Sequence, residues 1–232
     1  MKIFGILNIT PDSFSDGGEN FSYKQAITKA YLLLEQGADV IDIGGQSTRP
    51  NAVILTAEQE WQRVSKIIAE LCKNNFVLSL DSYHVKNQKK AADLGVKYIN
   101  DVNGFADPKM QELALNTQQN CVVMHSLTVP ADKKIVMPKN LNVTQELINW
   151  GQKKVAELTG FGIKKEKIIL DTGIGFGKTT EQSWQLINDA KLITKAYKQL
   201  GVKTFYGHSR KSFISVTYPQ SDLDLELSLI HI

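Results

Sequence analysis

The sequence predicts a parallel α/β barrel, and three observations carry that reading. Short apolar runs alternate with longer segments of helical period, glycine punctuates the return from helix to strand, and no nucleotide-binding glycine turn follows the first run. The 232 residues, 42% hydrophobic and 22% charged, suit one soluble domain covering residues 1–232.

The strand runs are Ile3–Leu7, Val40–Ile43, Phe76–Leu80, Val96–Ile99, Cys121–Met124, Ile168–Leu170 and Val202–Tyr206. Largely apolar runs mark strands covered on both faces, as a parallel sheet requires. Helices are predicted over Tyr23–Gln36, Ala57–Lys73, His84–Leu94, Pro108–Asn116, Val143–Leu158 and Glu181–Gln199. Within each, apolar residues such as Val64, Ile67, Ile68 and Leu71 recur at helical spacing and form one stripe. Gly37, Gly95 and Gly201 stand where a left-handed cap releases the chain into the next strand.

Composition excludes several classes. The net charge is only +3 and the lysines are scattered, so no basic stripe marks a nucleic-acid partner. Cys72 and Cys121 read as core residues, without disulfide framework or metal spacing. No apolar run approaches the roughly 20 residues of a membrane span, and the N-terminus does not read as a signal peptide. The expected location is cytoplasmic.

Polar residues close every run: Asn8 the first, Asp42 to Pro50 the second, Asp81 the third, Asn100 the fourth, His125 the fifth, Asp171 the sixth, and His208 to Ser212 the seventh. In a barrel these ends converge on one mouth, so they describe a polar cup. Asp81, Asn100 and Asp171 offer acceptors, and Lys211 is a pure donor. A buried carboxylate needs a partner. A flat ring with an exocyclic amine beside a ring N–H supplies one, with Lys211 on another edge and Met124 and Phe176 against its faces. Gly44, Gly45, Gly173, Gly175 and Gly177 leave backbone N–H groups approachable, Ser209 to Ser212 open a helix, and Arg49 is placed to clamp a phosphate. GIGFGKTT is not a nucleoside-triphosphate loop, because Thr172 stands where its first glycine belongs. His125 and His208 either line the cup or serve structural hydrogen bonds.

With those residues in hand, the chain resembles the dihydropteroate synthase family. The matching stretches are NITPDSFSDGG (Asn8–Gly18), GADVIDIGGQSTRP (Gly37–Pro50), Leu80 with Asp81, KYINDVNG (Lys97–Gly104), VVMH (Val122–His125), LDTGIGFGK (Leu170–Lys178) and GHSRKSF (Gly207–Phe213). The resemblance implies a TIM (β/α)8 barrel that condenses 4-aminobenzoate with 6-hydroxymethyl-7,8-dihydropterin pyrophosphate in folate biosynthesis. It implies that Asp81, Asn100, Asp171 and Lys211 hold the pterin, and that Asn8 ligates a Mg²⁺ bound to the pyrophosphate. Phe14 and Asp16, with Thr48, Arg49 and Pro50, would form two closing loops; Asp16, Arg49 and Lys211 would serve catalysis. Phe176, Lys211 and Ser212 would border the aminobenzoate.

The resemblance further implies sulfonamide sensitivity and a homodimer through outer helices. Some relatives carry a fused pterin pyrophosphokinase domain, an arrangement left open here. Departures are Gln46 for the family's glutamate, Thr172 for its proline, and no Arg-x-His pair. That pair belongs to the family's eighth strand, so the expectation is a C-terminally truncated barrel lacking that strand, with exposed sheet edges. The rivals are a pterin-dependent methyltransferase barrel, which would lack the aminobenzoate loops, and a non-catalytic pterin-binding paralogue.

Overall fold

A computed structural model of the chain describes residues 1–9, 18–47, 53–132, 134–209, 211–217 and 229–231. Strands and helices alternate along it. They run β1 (Ile3–Asn8), α1 (Gly18–Glu35), β2 (Val40–Gly44), α2 (Ala57–Lys73), β3 (Leu78–Asp81), α3 (Val85–Leu94), β4 (Tyr98–Asp101) and α4 (Pro108–Thr117). Then come β5 (Asn120–Met124), α5 (Val143–Phe161), β6 (Ile168–Asp171), α6 (Thr180–Asn188), α7 (Ala190–Gln199), β7 (Lys203–Phe205), α8 (Ser212–Thr217) and β8 (Leu229–His231). No helix among the described residues is long and apolar enough to cross a membrane.

The strands from β1 to β7 pair in sequence order, all parallel. Along each strand, residues alternate between two faces. One face packs under the helices: Leu7, Ile41, Ile43, Leu78 and Leu80 meet α1 to α3, while Ile99, Cys121, Val123, Ile168 and Leu170 meet the later helices. The other face turns inward, where Phe4, Val40, Tyr98, Val122, Ile169 and Phe205 form a separate core. The Phe4 ring meets Tyr98 of β4 edge-on at 5.1 Å and Phe205 of β7 at 5.2 Å. One side chain of the first strand thus touches the fourth and the seventh, which fixes the sheet as a cylinder wall.

Helix boundaries follow local chemistry. Thr56 and Gln59 form a reciprocal capping box at the start of α2, and Thr179 and Gln182 form another at α6. Asp107 accepts from the Lys109 N–H ahead of α4, whose first residue is Pro108. Gly95 takes φ 102° after α3, as expected of a left-handed cap.

Three features differ from the sequence reading. The helix expected over Glu181–Gln199 is broken at Asp189 (φ −91°, ψ 10°), whose carboxylate accepts a 2.6 Å bond from Thr144 Oγ1 of α5. Helix α1 starts at Gly18 rather than Tyr23, because its polar first turn shows no apolar period. No eighth parallel strand occurs among the described residues, yet the outer edge of β1 is occupied. There β8 pairs antiparallel, with Ile3 opposite His231 and Gly5 opposite Leu229. Of the exposed sheet edges expected, that of β1 is covered along Ile3–Gly5, while the outer edge of β7 pairs with no strand among the described residues.

Candidate active site at the C-terminal strand ends

Five of the strands, β1, β2, β3, β4 and β6, run one or two residues further than their apolar runs, and this decides which polar side chains enter the barrel. β1 ends on Asn8, β3 on Asp81, β4 on Asp101 and β6 on Asp171. Continuing the inward phase of the apolar core by steps of two brings in Asp42 and Gly44 above Val40, Asn100 above Tyr98, Met124 above Val122 and Asp171 above Ile169. On β3 the same phase is held by Ser79, opposite Tyr98, and by Asp81, opposite Asn100. The cylinder is greasy at its N-terminal end and acidic at its C-terminal end. Asp101 has the opposite phase, and its carboxylate instead accepts from the N–H groups of Asn103 (2.9 Å) and Phe105 (2.8 Å).

The acidic groups lie close together. Asn100 Nδ2 donates to Asp42 Oδ2 at 3.0 Å. A Cβ on Gly44 would lie 3.1 Å from Asn8 Oδ1 and 3.8 Å from Asp81 Oδ2, so the missing side chain leaves both oxygens open toward the cup. Asp171 Oδ1 accepts from the Gly173 N–H at 2.8 Å. That turn admits only glycine: φ is +60°, and a Cβ would sit 1.9 Å from the His125 carbonyl oxygen.

Burial sets the electrostatics. Desolvation raises Asp171 from 3.8 to about 6, opposed by the Gly173 N–H and by the ammoniums of Lys211 and Lys178. Desolvation also pushes Asp81 well up, helped by repulsion from Asp42 and Glu60 and opposed by Lys211. Asp42 is raised by burial, tempered by the neighbouring Ser79 and Asn100 side chains. Such a site favours a ligand that brings N–H donors or positive charge.

Lys211 follows β7, and its charge reaches Asp81 and Asp171 alike. Its Nζ lies 4.1 Å from the centre of the Phe176 ring, a cation–π contact. Asp171, from the end of β6, and Lys211, from the segment between β7 and α8, therefore address one space. Lys178 is a buried strut beside them, bonded to His125 Nδ1 (2.8 Å), the His125 carbonyl (3.0 Å) and the Phe176 carbonyl (3.1 Å). Burial and the Lys178 charge lower His125 to about 3, so it is a neutral acceptor for that lysine. Burial likewise lowers Lys178 to about 7.

The structure thus brings Asn8, Asp81, Asn100, Met124, Asp171, Phe176 and Lys211 to one end of the barrel. Phe14, Asp16, Thr48, Arg49 and Pro50 lie outside the described residues, and Ser212 is described only as the first residue of α8. Asp42 and Lys178 were not singled out from sequence. Asp42 shares the inward phase of Val40, a signal available once β2 is placed; Lys178 sits in the glycine-rich stretch weighed only as a phosphate loop. Gln46 holds the base of the β2 loop, accepting from the Leu55 N–H at 2.9 Å and donating to the Tyr83 hydroxyl.

Among the described residues, no three His, Cys, Asp or Glu side chains are grouped to hold a metal ion. The Asn8 amide oxygen is a single hard donor, which suits a Mg²⁺ that arrives carrying phosphate oxygens and water.

A pterin binding enzyme family model matches residues 4–227. The dihydropteroate synthase of Haemophilus influenzae is 38% identical over 215 residues, covering 92% of this chain and 76% of that protein. The dihydropteroate synthase of Xanthomonas albilineans, solved with 4-aminobenzoic acid, superposes with a TM-score of 0.84 at 31% identity, covering 95% of this chain and 77% of that one. The enzyme from Anaplasma phagocytophilum, solved with bound 6-hydroxymethylpterin-monophosphate, gives 0.79 at 36% identity, covering 92% and 80%.

Proposed function

Because this chain belongs to the pterin-binding enzyme family, among the dihydropteroate synthases, we propose that it condenses 4-aminobenzoate with 6-hydroxymethyl-7,8-dihydropterin pyrophosphate. The products are dihydropteroate and pyrophosphate. The observation that carries this reading is the shared reach of Asp171 and Lys211 into one acidic, desolvated cup. Asp171 and Asp81 accept the exocyclic amine and ring N–H of the pterin, and each donor restores solvation lost on burial. Asn100 takes a further ring edge, Lys211 donates to the ring on the side opposite the carboxylates, and Met124 lies against its face.

The reaction needs no side-chain nucleophile. The carbon–oxygen bond to pyrophosphate breaks, and the electron-rich dihydropterin carries the positive charge left on the methylene. The aromatic amine then forms the new carbon–nitrogen bond and loses a proton. Asn8 Oδ1 would be the protein donor to a Mg²⁺ brought by the pyrophosphate, which would supply charge neutralisation at the departing oxygens. Phe14, Asp16, Thr48, Arg49 and Pro50 lie outside the described residues; by the family resemblance, Asp16 and Arg49 would serve the chemistry. The aminobenzoate sits between Phe176, Lys211 and Ser212. In this reading residues 1–232 act as one barrel domain, in the cytoplasm, as a homodimer through outer helices.

The test is direct. Purified protein, Mg²⁺, dihydropterin pyrophosphate and labelled aminobenzoate should yield labelled dihydropteroate. Measurable pterin binding without product would instead mark a non-catalytic binding protein.

A further inference from the structure

Asp42 has no part in the ring contacts proposed above, yet it is 5% exposed and stands beneath them. Its Oδ2 accepts the Asn100 side-chain N–H at 3.0 Å, and the Ser79 side chain is its other polar neighbour. A carboxylate can only accept, whereas a side-chain amide presents either an oxygen or an NH₂ group depending on how it is turned. The bond to Asp42 takes the Asn100 nitrogen and leaves its oxygen for whatever occupies the cup. Asn100 comes from β4 and Asp42 from β2, with Asp81 of β3 between them, in register opposite Gly44 and Asn100. The amide is thus set by a strand two places away.

We propose that Asp42 is a positioning residue for pterin recognition: it locks the Asn100 amide so that Asn100 Oδ1 faces the ring as an acceptor. This rests on the reading of the cup as a pterin site. Without the lock, the amide turns freely, and half of its orientations set an N–H donor against the ring's own donors.

Four proteins test this by calorimetric titration with dihydropterin pyrophosphate and Mg²⁺: wild type, Asp42→Leu, Asn100→Ala and the double variant. Asp42→Leu should weaken pterin binding by about tenfold, the scale of one buried hydrogen bond to a charged group. In the Asn100→Ala background the same substitution should change affinity by less than about twofold, since the group it orients is gone. In turnover, the KM for the pterin should rise while the KM for aminobenzoate holds. Asp42→Asn, whose amide oxygen still accepts from Asn100, should recover most of the loss. Should Asp42→Leu fail to fold, Asp42→Ala replaces it in the same cycle. Equal weakening in both backgrounds, or a matching rise in both KM values, would overturn the proposal and leave Asp42 a structural residue. A wild type that binds no pterin would sink the functional reading itself, a result the cycle separates from the first.

Discussion

Replacing Asp171 by asparagine should make the unliganded protein more stable while removing its affinity for pterin. Burial raises this carboxyl group from 3.8 to about 6. Below the lower value it is protonated in both the folded and unfolded chain, and contributes no difference. As pH rises through the window from 3.8 to about 6, the unfolded chain releases the proton first, so folding stability declines across that interval. At about 1.4 kcal/mol per pH unit, the loss reaches about 3 kcal/mol by neutral pH. Asparagine cannot ionise and still accepts from the Gly173 N–H, so it escapes the loss. Part of the gain is offset, because Asp171 also supports the charge on buried Lys178. The net expectation is a gain of about 1–3 kcal/mol at neutral pH, shrinking toward zero near pH 4. Urea unfolding of both proteins across that range measures it, the difference between them isolating Asp171 from the other buried carboxylates. A variant less stable than wild type at neutral pH, or a difference that does not vary with pH, would refute the reasoning.

Lys211→Ala should abolish calorimetric pterin binding, at a cost of about 2–5 kcal/mol for unpairing a buried charge network, yet melt within a few degrees of wild type. Gly173→Ala forces a Cβ to 1.9 Å from the His125 carbonyl at φ +60°, so it should both destabilise the protein by more than about 2 kcal/mol and weaken pterin binding, read by thermal melting and titration on one sample. Gly151→Ala is the control for stability alone. Its Cβ would lie 2.4 Å from Tyr197 Cε1 in the outer layer, and overpacking should cost about 1–3 kcal/mol with pterin affinity unchanged in the folded fraction.

The strands were legible because Val40, Ile41 and Ile43, or Val122 and Val123, sit in largely apolar runs of the kind a doubly covered sheet requires. The cup was legible as a set of strand-end polar residues, but its inward and outward members were not. Asn100 and Asp101 are adjacent in sequence and differ only in phase, and the phase is fixed by Tyr98 packing inside the cylinder. Asp42 escaped for the same reason. Lys178 escaped because its role depends on the carbonyls of His125 and Phe176, which meet only once two loops are folded together. The break at Asp189 was equally invisible, since Thr144, which holds it, is 45 positions away.

The aromatic contact of Phe4 with Tyr98 and Phe205 has a consequence for traffic. With those rings packed across its lower end, the barrel floor is shut, and the polar cup is reached from the strand ends above it. Under the proposed assignment the bicyclic partner occupies the bottom and the amine the upper seat. The bicycle must therefore come first, and a mimic lodged above it would stall the queue without displacing what lies beneath.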